Sequence, residues 1–291
     1  MSSSAAQPET RPKVTTPQIR NSKGGPKLTM VTAYDYPSAR IADEAGVDMI
    51  LVGDSVANVV HGHQTTLPID LDTMVLHTAA VVRALPRALI IADLPWLTYH
   101  VSIEDTIRNA GRLVREGGAE ALKLEGGRKR VPMVSALVDT EIPVMGHIGL
   151  TPQSVHAMGG YRVQGKMVEQ ARGLIADAQA LEVAGIFALV LEGVPGLVAE
   201  IITKELSIPT IGIGAGASTD GQVLVLHDIL GLAYGHQPRF VRRFADLHGE
   251  GVRAVAGFRS AVESGQFPNE SETYELDSEV AAVLLEESRS D

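Results

Sequence analysis

Short runs of β-branched and aliphatic residues return along the chain, each closed by glycine, proline or an acid. Between them lie longer stretches in which apolar residues recur with helical spacing. The runs predict strands at Leu28–Thr32, Met49–Val52, Ala88–Ala92 and Ala121–Leu124, then at Pro143–Gly146, Ala188–Leu191, Pro209–Ile213 and Val223–Leu226. The stretches between them predict helices, for example Tyr36–Ala45, Ile103–Glu116 and Lys166–Ala184, with glycine stops at Gly117-Gly118 and Gly185. Two further helices are predicted at Gly249–Ser264 and Ser278–Glu287, separated by the polar segment Asn269–Tyr274.

Eight strands each followed by a helix predict an α/β fold closed as a (β/α)8 TIM barrel. A doubly wound sheet is the alternative. Its glycine fingerprint would follow the first strand, where this chain has Ala33-Tyr34-Asp35-Tyr36. Residues 1–26 are rich in Ser, Thr, Pro and basic residues and read as a flexible tail. The barrel domain with its C-terminal helix is expected over 27–267, and an acidic, partly helical segment over 268–291.

Composition sharpens this picture in three ways. Aromatics make up only 4% of the chain, so the core must rest on Val, Ile, Leu and Ala, as parallel sheets under helices do. The net charge of −10, without a dense basic patch, argues against nucleic acid and against an anionic membrane surface. With no cysteine there is no disulfide, thiolate metal site or Cys nucleophile. No apolar run suits a membrane span, and the first residues lack the apolar core of a signal peptide, so a cytoplasmic protein is expected.

In such a barrel the chemistry sits where strands end. The second strand runs into Gly53-Asp54-Ser55 and the third into Asp93-Leu94-Pro95. The fourth contains Lys123 and closes on Glu125, the fifth reaches His147, and the sixth ends on Glu192. Any one of these acids is open to reading as a helix cap or loop residue. Clustering is what tells against that, since neighbouring buried carboxylates repel unless a cation offsets them. Asp54, Asp93 and Glu125 are hard oxygen donors, which points to Mg2+ or Mn2+ rather than structural zinc. His61-Gly62-His63 is too closely spaced for a usual zinc pair, and these residues, with His77, read as hydrogen-bonding groups.

Seven blocks then stand in a telling order: LTMVTAYDYPSA, ILVGDSVANVVHGHQTTLP, IADLPW, LKLEGG, HIGLTPQSVHAMGGYRVQGK, LVLEGVP and TIGIGAGASTDGQ. From about Pro17 to Phe267 the chain resembles the ketopantoate hydroxymethyltransferases. The resemblance implies a barrel akin to the phosphoenolpyruvate/isocitrate lyase group and one Mg2+ per subunit. It also implies 3-methyl-2-oxobutanoate as substrate, 5,10-methylenetetrahydrofolate as one-carbon donor, and 2-dehydropantoate as product on the route to pantothenate. By motif it implies that Asp54 and Ser55 hold metal and substrate and that Asp93 is the second metal ligand. Lys123 would bind substrate, Glu125 would serve the metal, and Glu192 would be the base. A homo-oligomer, typically a decamer, is implied by the same likeness.

The implied reaction is physically coherent. A metal chelated by the carboxylate and 2-oxo oxygens would stabilise an enolate, and a carboxylate across the mouth would take the C3 proton. The alternative is a carbon–carbon lyase of the isocitrate lyase type, which resembles this chain in fold but uses a catalytic Cys that is absent here. Two features stay open. Gly212–Gly216 suits either a phosphate site or a tight turn, and His156–Lys166 either a lid or an ordered loop.

Overall fold

Aliphatic runs of four to six residues are too short for helices and too apolar for surface loops, and they form the strands of a closed parallel sheet. The computed structural model describes residues 11–233, 235 and 237–289. In chain order, α1 (Thr16–Arg20), β1 (Leu28–Thr32), α2 (Tyr36–Glu44), β2 (Met49–Val52), α3 (Val56–Val59) and α4 (Leu71–Val82) come first. Next are β3 (Leu89–Asp93), α5 (Ile103–Arg115), β4 (Ala121–Glu125), α6 (Val131–Asp139), β5 (Val144–Gly149) and α7 (Val155–Met158). Then follow α8 (Val168–Val183), β6 (Ala188–Glu192), α9 (Gly196–Glu205), β7 (Thr210–Ile213), β8 (Gly221–Leu224) and α10 (Leu226–Leu230). Last are α11 (Leu247–Glu263) and α12 (Ser278–Glu287). The strands pair in sequence order, and β8 closes on β1 with Leu28 opposite Gly221.

Period-two alternation sorts each strand into two cores. One set, including Ile50, Val52, Ile90, Ala92, Leu122, Leu124, Leu189 and Leu191, packs with the helices. The other fills the barrel interior: Leu28, Met30, Met49, Leu51, Leu89, Ile91, Ala121, Met145, Ala188, Val190, Ile211 and Val223. Helix starts are fixed locally. Asp35, Asp70 and Ser102 accept hydrogen bonds from the backbone N–H of Ser38, Thr73 and Asp105 at α2, α4 and α5.

Four expectations need correction. Residues 11–26 are not a tail, although residues 1–10 lie outside the described ones. Ile19 of α1 is 2% exposed and joins the interior core, while Lys13 Nζ reaches Glu120 Oε2 (2.6 Å) and the Ala88 carbonyl (2.7 Å). One apolar anchor, Ile19, and one basic side chain, Lys13, thus tie this segment to the barrel floor, which polar composition concealed. The last strand lies at Gly221–Leu224, two residues before its predicted place; it starts at Gly221, which pairs with Leu28 and where a Cβ would crowd the Leu28 carbonyl oxygen. No helix separates β7 from β8: the glycine run starts inside β7 at Gly212, and residues 214–220 lead directly to β8.

The domain division also differs. Among the described residues, one compact unit takes in residues 11–229 and 233–243, and a second takes in residues 230–232 and 244–289. The helix predicted at Gly249–Ser264 is observed as α11 and belongs to the second unit. None of its residues is buried, and Val252, Val255, Phe258 and Val262 are all exposed.

Candidate active site

The inward-facing series changes character as the strands ascend. It runs Leu89, Ile91, Asp93 on β3, then Ala121, Lys123, Glu125 on β4. On β5 it is Met145, His147, and on β6 Ala188, Val190, Glu192. The same alternation that fills the interior with methylenes therefore delivers ionisable groups to the C-terminal mouth. Strand register makes neighbours of them: Asp93 stands opposite Lys123, and Glu125 opposite His147.

The contacts follow from that register. Lys123 Nζ lies 2.8 Å from Asp93 Oδ1, with both side chains almost wholly buried. It also approaches His147 Nδ1 at 3.4 Å. His147 is flanked by two acids, Glu125 Oε1 at 3.3 Å from Nδ1 and Glu192 Oε2 at 3.2 Å from Nε2. The N–H of Asp54 donates to Asp93 Oδ2 (3.0 Å), so these two carboxylates are adjacent. Ser55 Oγ is 2.8 Å from the hydroxyl of Tyr34. All six sequence-predicted residues, Asp54, Ser55, Asp93, Lys123, Glu125 and Glu192, thus stand at one end of the barrel.

Residues from the loops complete the cluster, and sequence pattern did not single them out. Gln153 Nε2 donates to Asp54 Oδ2 (2.9 Å) and to the Leu94 carbonyl (3.1 Å), and its backbone N–H donates to Glu125 Oε2 (3.0 Å). Tyr99 donates its hydroxyl hydrogen to Gln153 Oε1 (2.6 Å) and accepts from the Glu125 N–H (3.3 Å). Gly149 has φ +97°, and a Cβ there would overlap the Glu192 carbonyl oxygen, so only glycine lets β5 turn away beside β6.

The cap readings of the acids do not hold. Asp93 and Glu125 are buried strand residues, and α3 is preceded by Ser55, not Asp54, at a cap position that makes no side-chain hydrogen bond. Pro195 precedes α9, whose N-cap position makes no side-chain hydrogen bond, so Glu192 is not its cap.

Electrostatics mark the cluster as unfinished. Asp54, Asp93, Glu125 and Glu192 face Lys123 and His147, so two negative charges are unmatched. Burial pushes the carboxyls of Asp54 and Asp93 up to about 6. Glu125 raises the first further, while Lys123 partly offsets the second. Burial and Lys123 would depress His147, but Glu125 and Glu192 outweigh them and hold it up to about 9. Burial likewise opposes the Lys123 charge, yet Asp93, Glu125 and Asp54 together raise it above its ordinary range.

The donor set suits a hard divalent cation. Buried Asp93 Oδ1 and Glu125 Oε1 make no hydrogen bond of good geometry, and Asp54 and Asp93 offer adjacent carboxylates. Among the described residues no three His, Cys, Asp or Glu side chains already close around one point. Mg2+ needs no such cage, since it is commonly held by one or two carboxylates and keeps oxygen ligands from water or substrate. His61, His63 and His77 lie apart from this cluster. His61 Nε2 meets His77 Nε2 at 3.0 Å, and His77 Nδ1 meets the Tyr34 carbonyl at 2.6 Å, as hydrogen-bonding groups.

A closed eight-stranded parallel barrel with acids, a lysine and a histidine at its C-terminal mouth defines a (β/α)8-barrel enzyme. Solved structures of that fold superpose on it. They include 2,3-dimethylmalate lyase (TM-score 0.53, 19% identity, 96% of this chain and 98% of that one). Phosphonopyruvate hydrolase, solved in complex with oxalate and Mg2+, gives a TM-score of 0.56 at 14% identity over 95% of this chain and 98% of that one. The family model for ketopantoate hydroxymethyltransferase matches residues 13–270, and the chain belongs to that family. Curated relatives include 3-methyl-2-oxobutanoate hydroxymethyltransferase of Geobacter metallireducens, 56% identical over 86% of this chain and 94% of the relative. The same-named protein of Koribacter versatilis is 52% identical over 94% of this chain and 93% of the relative.

Proposed function

We propose that the chain transfers a hydroxymethyl unit from 5,10-methylenetetrahydrofolate to 3-methyl-2-oxobutanoate, giving 2-dehydropantoate for pantothenate and coenzyme A synthesis. The observation that carries this reading is the pair of unmatched negative charges beside one buried ammonium at the barrel mouth. A divalent cation together with a 2-oxo acid satisfies both sides of that arrangement. The relatives' names supply the identity of the acid.

In this reading Asp54 and Asp93 would hold Mg2+, with Glu125 serving beside them, its Oε2 engaged by the Gln153 N–H. Bound there, Mg2+ supplies a Lewis acid that draws electron density from a 2-oxo acid. Ser55, oriented by Tyr34, donates to the substrate carboxylate. Lys123 compensates the negative charge that grows on the C2 oxygen as the C3 proton leaves. Glu192 takes that proton, and its side chain, 16% exposed, is more open than those of Asp93 and Glu125. His147, held protonated near neutral pH, lies 3.2 Å from Glu192 Oε2 and orients that side chain. Carbon C3 then bonds to the methylene carbon of the donor as that carbon's bonds to N5 and N10 break; water supplies the hydroxyl, and the two nitrogens take up the proton from C3 and one from water, so that tetrahydrofolate leaves.

The family's decameric assembly is part of the proposal. The apolar positions Val252, Val255, Phe258 and Val262 on α11 offer surface for a second copy to cover. A cytoplasmic location is in keeping with the absence of cysteine. Among the described residues no helix is long and apolar enough to cross a membrane. The test is direct: purified protein, Mg2+, 3-methyl-2-oxobutanoate and methylenetetrahydrofolate are incubated and the product resolved by chromatography. Formation of 2-dehydropantoate is expected. Its absence, with cleavage of 2-methylisocitrate instead, would favour the lyase alternative.

A further inference from the structure

Two histidines outside the acidic cluster face each other, and one of them reaches back to the site. His77 lies on α4, and its Nδ1 meets the Tyr34 carbonyl oxygen at 2.6 Å. His61, in the segment between α3 and α4, meets the other side of that ring, Nε2 to Nε2 at 3.0 Å. Tyr34 follows β1 and is 1% exposed. Its hydroxyl lies 2.8 Å from Ser55 Oγ. One tyrosine is thus held at its backbone by α4 while its side chain holds the serine.

The chemistry of the partners fixes each hydrogen in this row. A carbonyl oxygen only accepts, so His77 Nδ1 carries a hydrogen. In the neutral ring Nε2 is then the acceptor, and His61 Nε2 is the donor. When Ser55 gives its hydrogen to a substrate carboxylate, its oxygen accepts that of Tyr34. Burial raises the Tyr34 hydroxyl well above its ordinary range, so it keeps that hydrogen. The Tyr34 N–H donates to Ser38 Oγ (3.1 Å) in α2, the helix that starts two residues on, and the ring tilts against His227 at 5.5 Å between centroids. His77 is what ties the Tyr34 peptide to α4.

Resting on the reading under Proposed function, we propose that His77, steadied by His61, is a positioning residue for the oxo acid: it fixes the Tyr34 peptide so that the tyrosine hydroxyl aims Ser55 at the substrate carboxylate. A serine hydroxyl has several staggered positions, and a hydrogen bond weakens steeply away from its preferred angle. Tyr34 selects one of those positions, and it does so only while its own backbone is held. Neither histidine touches substrate. The contact they support is made to the carboxylate and not to C3, so it is present before the proton leaves and equally while it leaves. Its loss therefore weakens binding of the oxo acid without slowing the bound molecule.

The experiment follows C3 proton exchange of 3-methyl-2-oxobutanoate in deuterated water at saturating Mg2+, over a range of oxo acid, for the parent, His77→Leu and His77→Asn. Leucine removes the donor, whereas the asparagine amide places an N–H near the position of Nδ1–H. His77→Leu should raise KM roughly tenfold or more, as loss of a hydrogen bond to a charged group does, with kcat within about twofold of the parent. His77→Asn should bring KM back to within a few-fold of the parent. In a Ser55→Ala background His77→Leu should raise KM no further, because both act through one contact. Parent-like KM in His77→Leu, an equal rise in His77→Asn, or an undiminished further rise on Ser55→Ala overturns the proposal. Should His77→Leu fail to fold, His61→Leu decides at an exposed position: a KM raised a few-fold supports the proposal and a parent-like KM overturns it. Failure of the functional reading is seen separately, as no C3 exchange by the parent.

Discussion

Replacing Lys123 with Met tests the electrostatic design of the site before any substrate is added. The ammonium lies 2.8 Å from Asp93 Oδ1 in a setting where both side chains are nearly inaccessible. At that distance, with an effective dielectric constant of about 20, the attraction is on the order of 6 kcal/mol, part of which offsets the cost of burying the lysine. Breaking such a pair typically costs about 3–5 kcal/mol, because the remaining charge stays buried. The pH dependence gives the sharper signature. The Asp93 carboxyl sits at about 6 with Lys123 in place. Without the cation its folded value rises further while its unfolded value does not change. A raised carboxyl contributes stability at low pH that is lost as pH rises towards the folded value. Parent and variant should therefore lose stability together up to about pH 6. Above it the parent levels off and the variant falls by a further ~1.4 kcal/mol per pH unit. Urea unfolding with chelator, at fixed protein concentration and at pH 5.5, 6.5 and 7.5, reads this directly. A destabilisation under about 1 kcal/mol at pH 7.5, or one that does not change with pH, would mean that Lys123 does not hold the Asp93 charge in place.

Two further outcomes follow from the same structure. Mg2+ binding must displace protons from Asp54 and Asp93, both raised to about 6, so affinity should be full above neutral pH and fall steeply below it, with proton release measurable by calorimetry in two buffers; pH-independent binding between pH 5 and 8 would contradict the assignment. Ile19→Ala at the barrel floor should cost about 2–4 kcal/mol in urea unfolding while leaving turnover per folded molecule near that of the parent, and a neutral effect would restore the tail reading of this segment.

Much of this architecture was legible because one periodicity serves two purposes. The alternation that fills the interior with Leu89 and Ile91 continues to Asp93, and Ala121 is followed two residues later by Lys123 and then by Glu125. An acid two places beyond an inward aliphatic is thus aimed at the barrel mouth, and sequence alone reveals it. His147 was visible only as a strand-end residue, because its bridging role depends on the register between β4, β5 and β6. Tyr34, Tyr99 and Gln153 come from loops with no periodicity, and their contribution exists only after closure of the barrel. The N-terminal segment failed for a related reason. Lys13 and Ile19 are held by distant partners such as Glu120 and Ala88, so local composition carried no trace of their order. The turn from β7 to β8 was missed because apolar runs on both sides implied a helix between them that the glycines do not form.

The proposed chemistry turns on removal of the C3 proton of a 2-oxo acid by Glu192 at the barrel mouth. Proton NMR in deuterated water tests it, with Mg2+, 3-methyl-2-oxobutanoate and no folate. The parent protein should wash deuterium into C3. Glu192→Gln, which leaves α9 without loss of a cap, should slow exchange roughly 10²-fold or more while binding Mg2+ and oxo acid as before. Exchange by Glu192→Gln within a few-fold of the parent would contradict the claim.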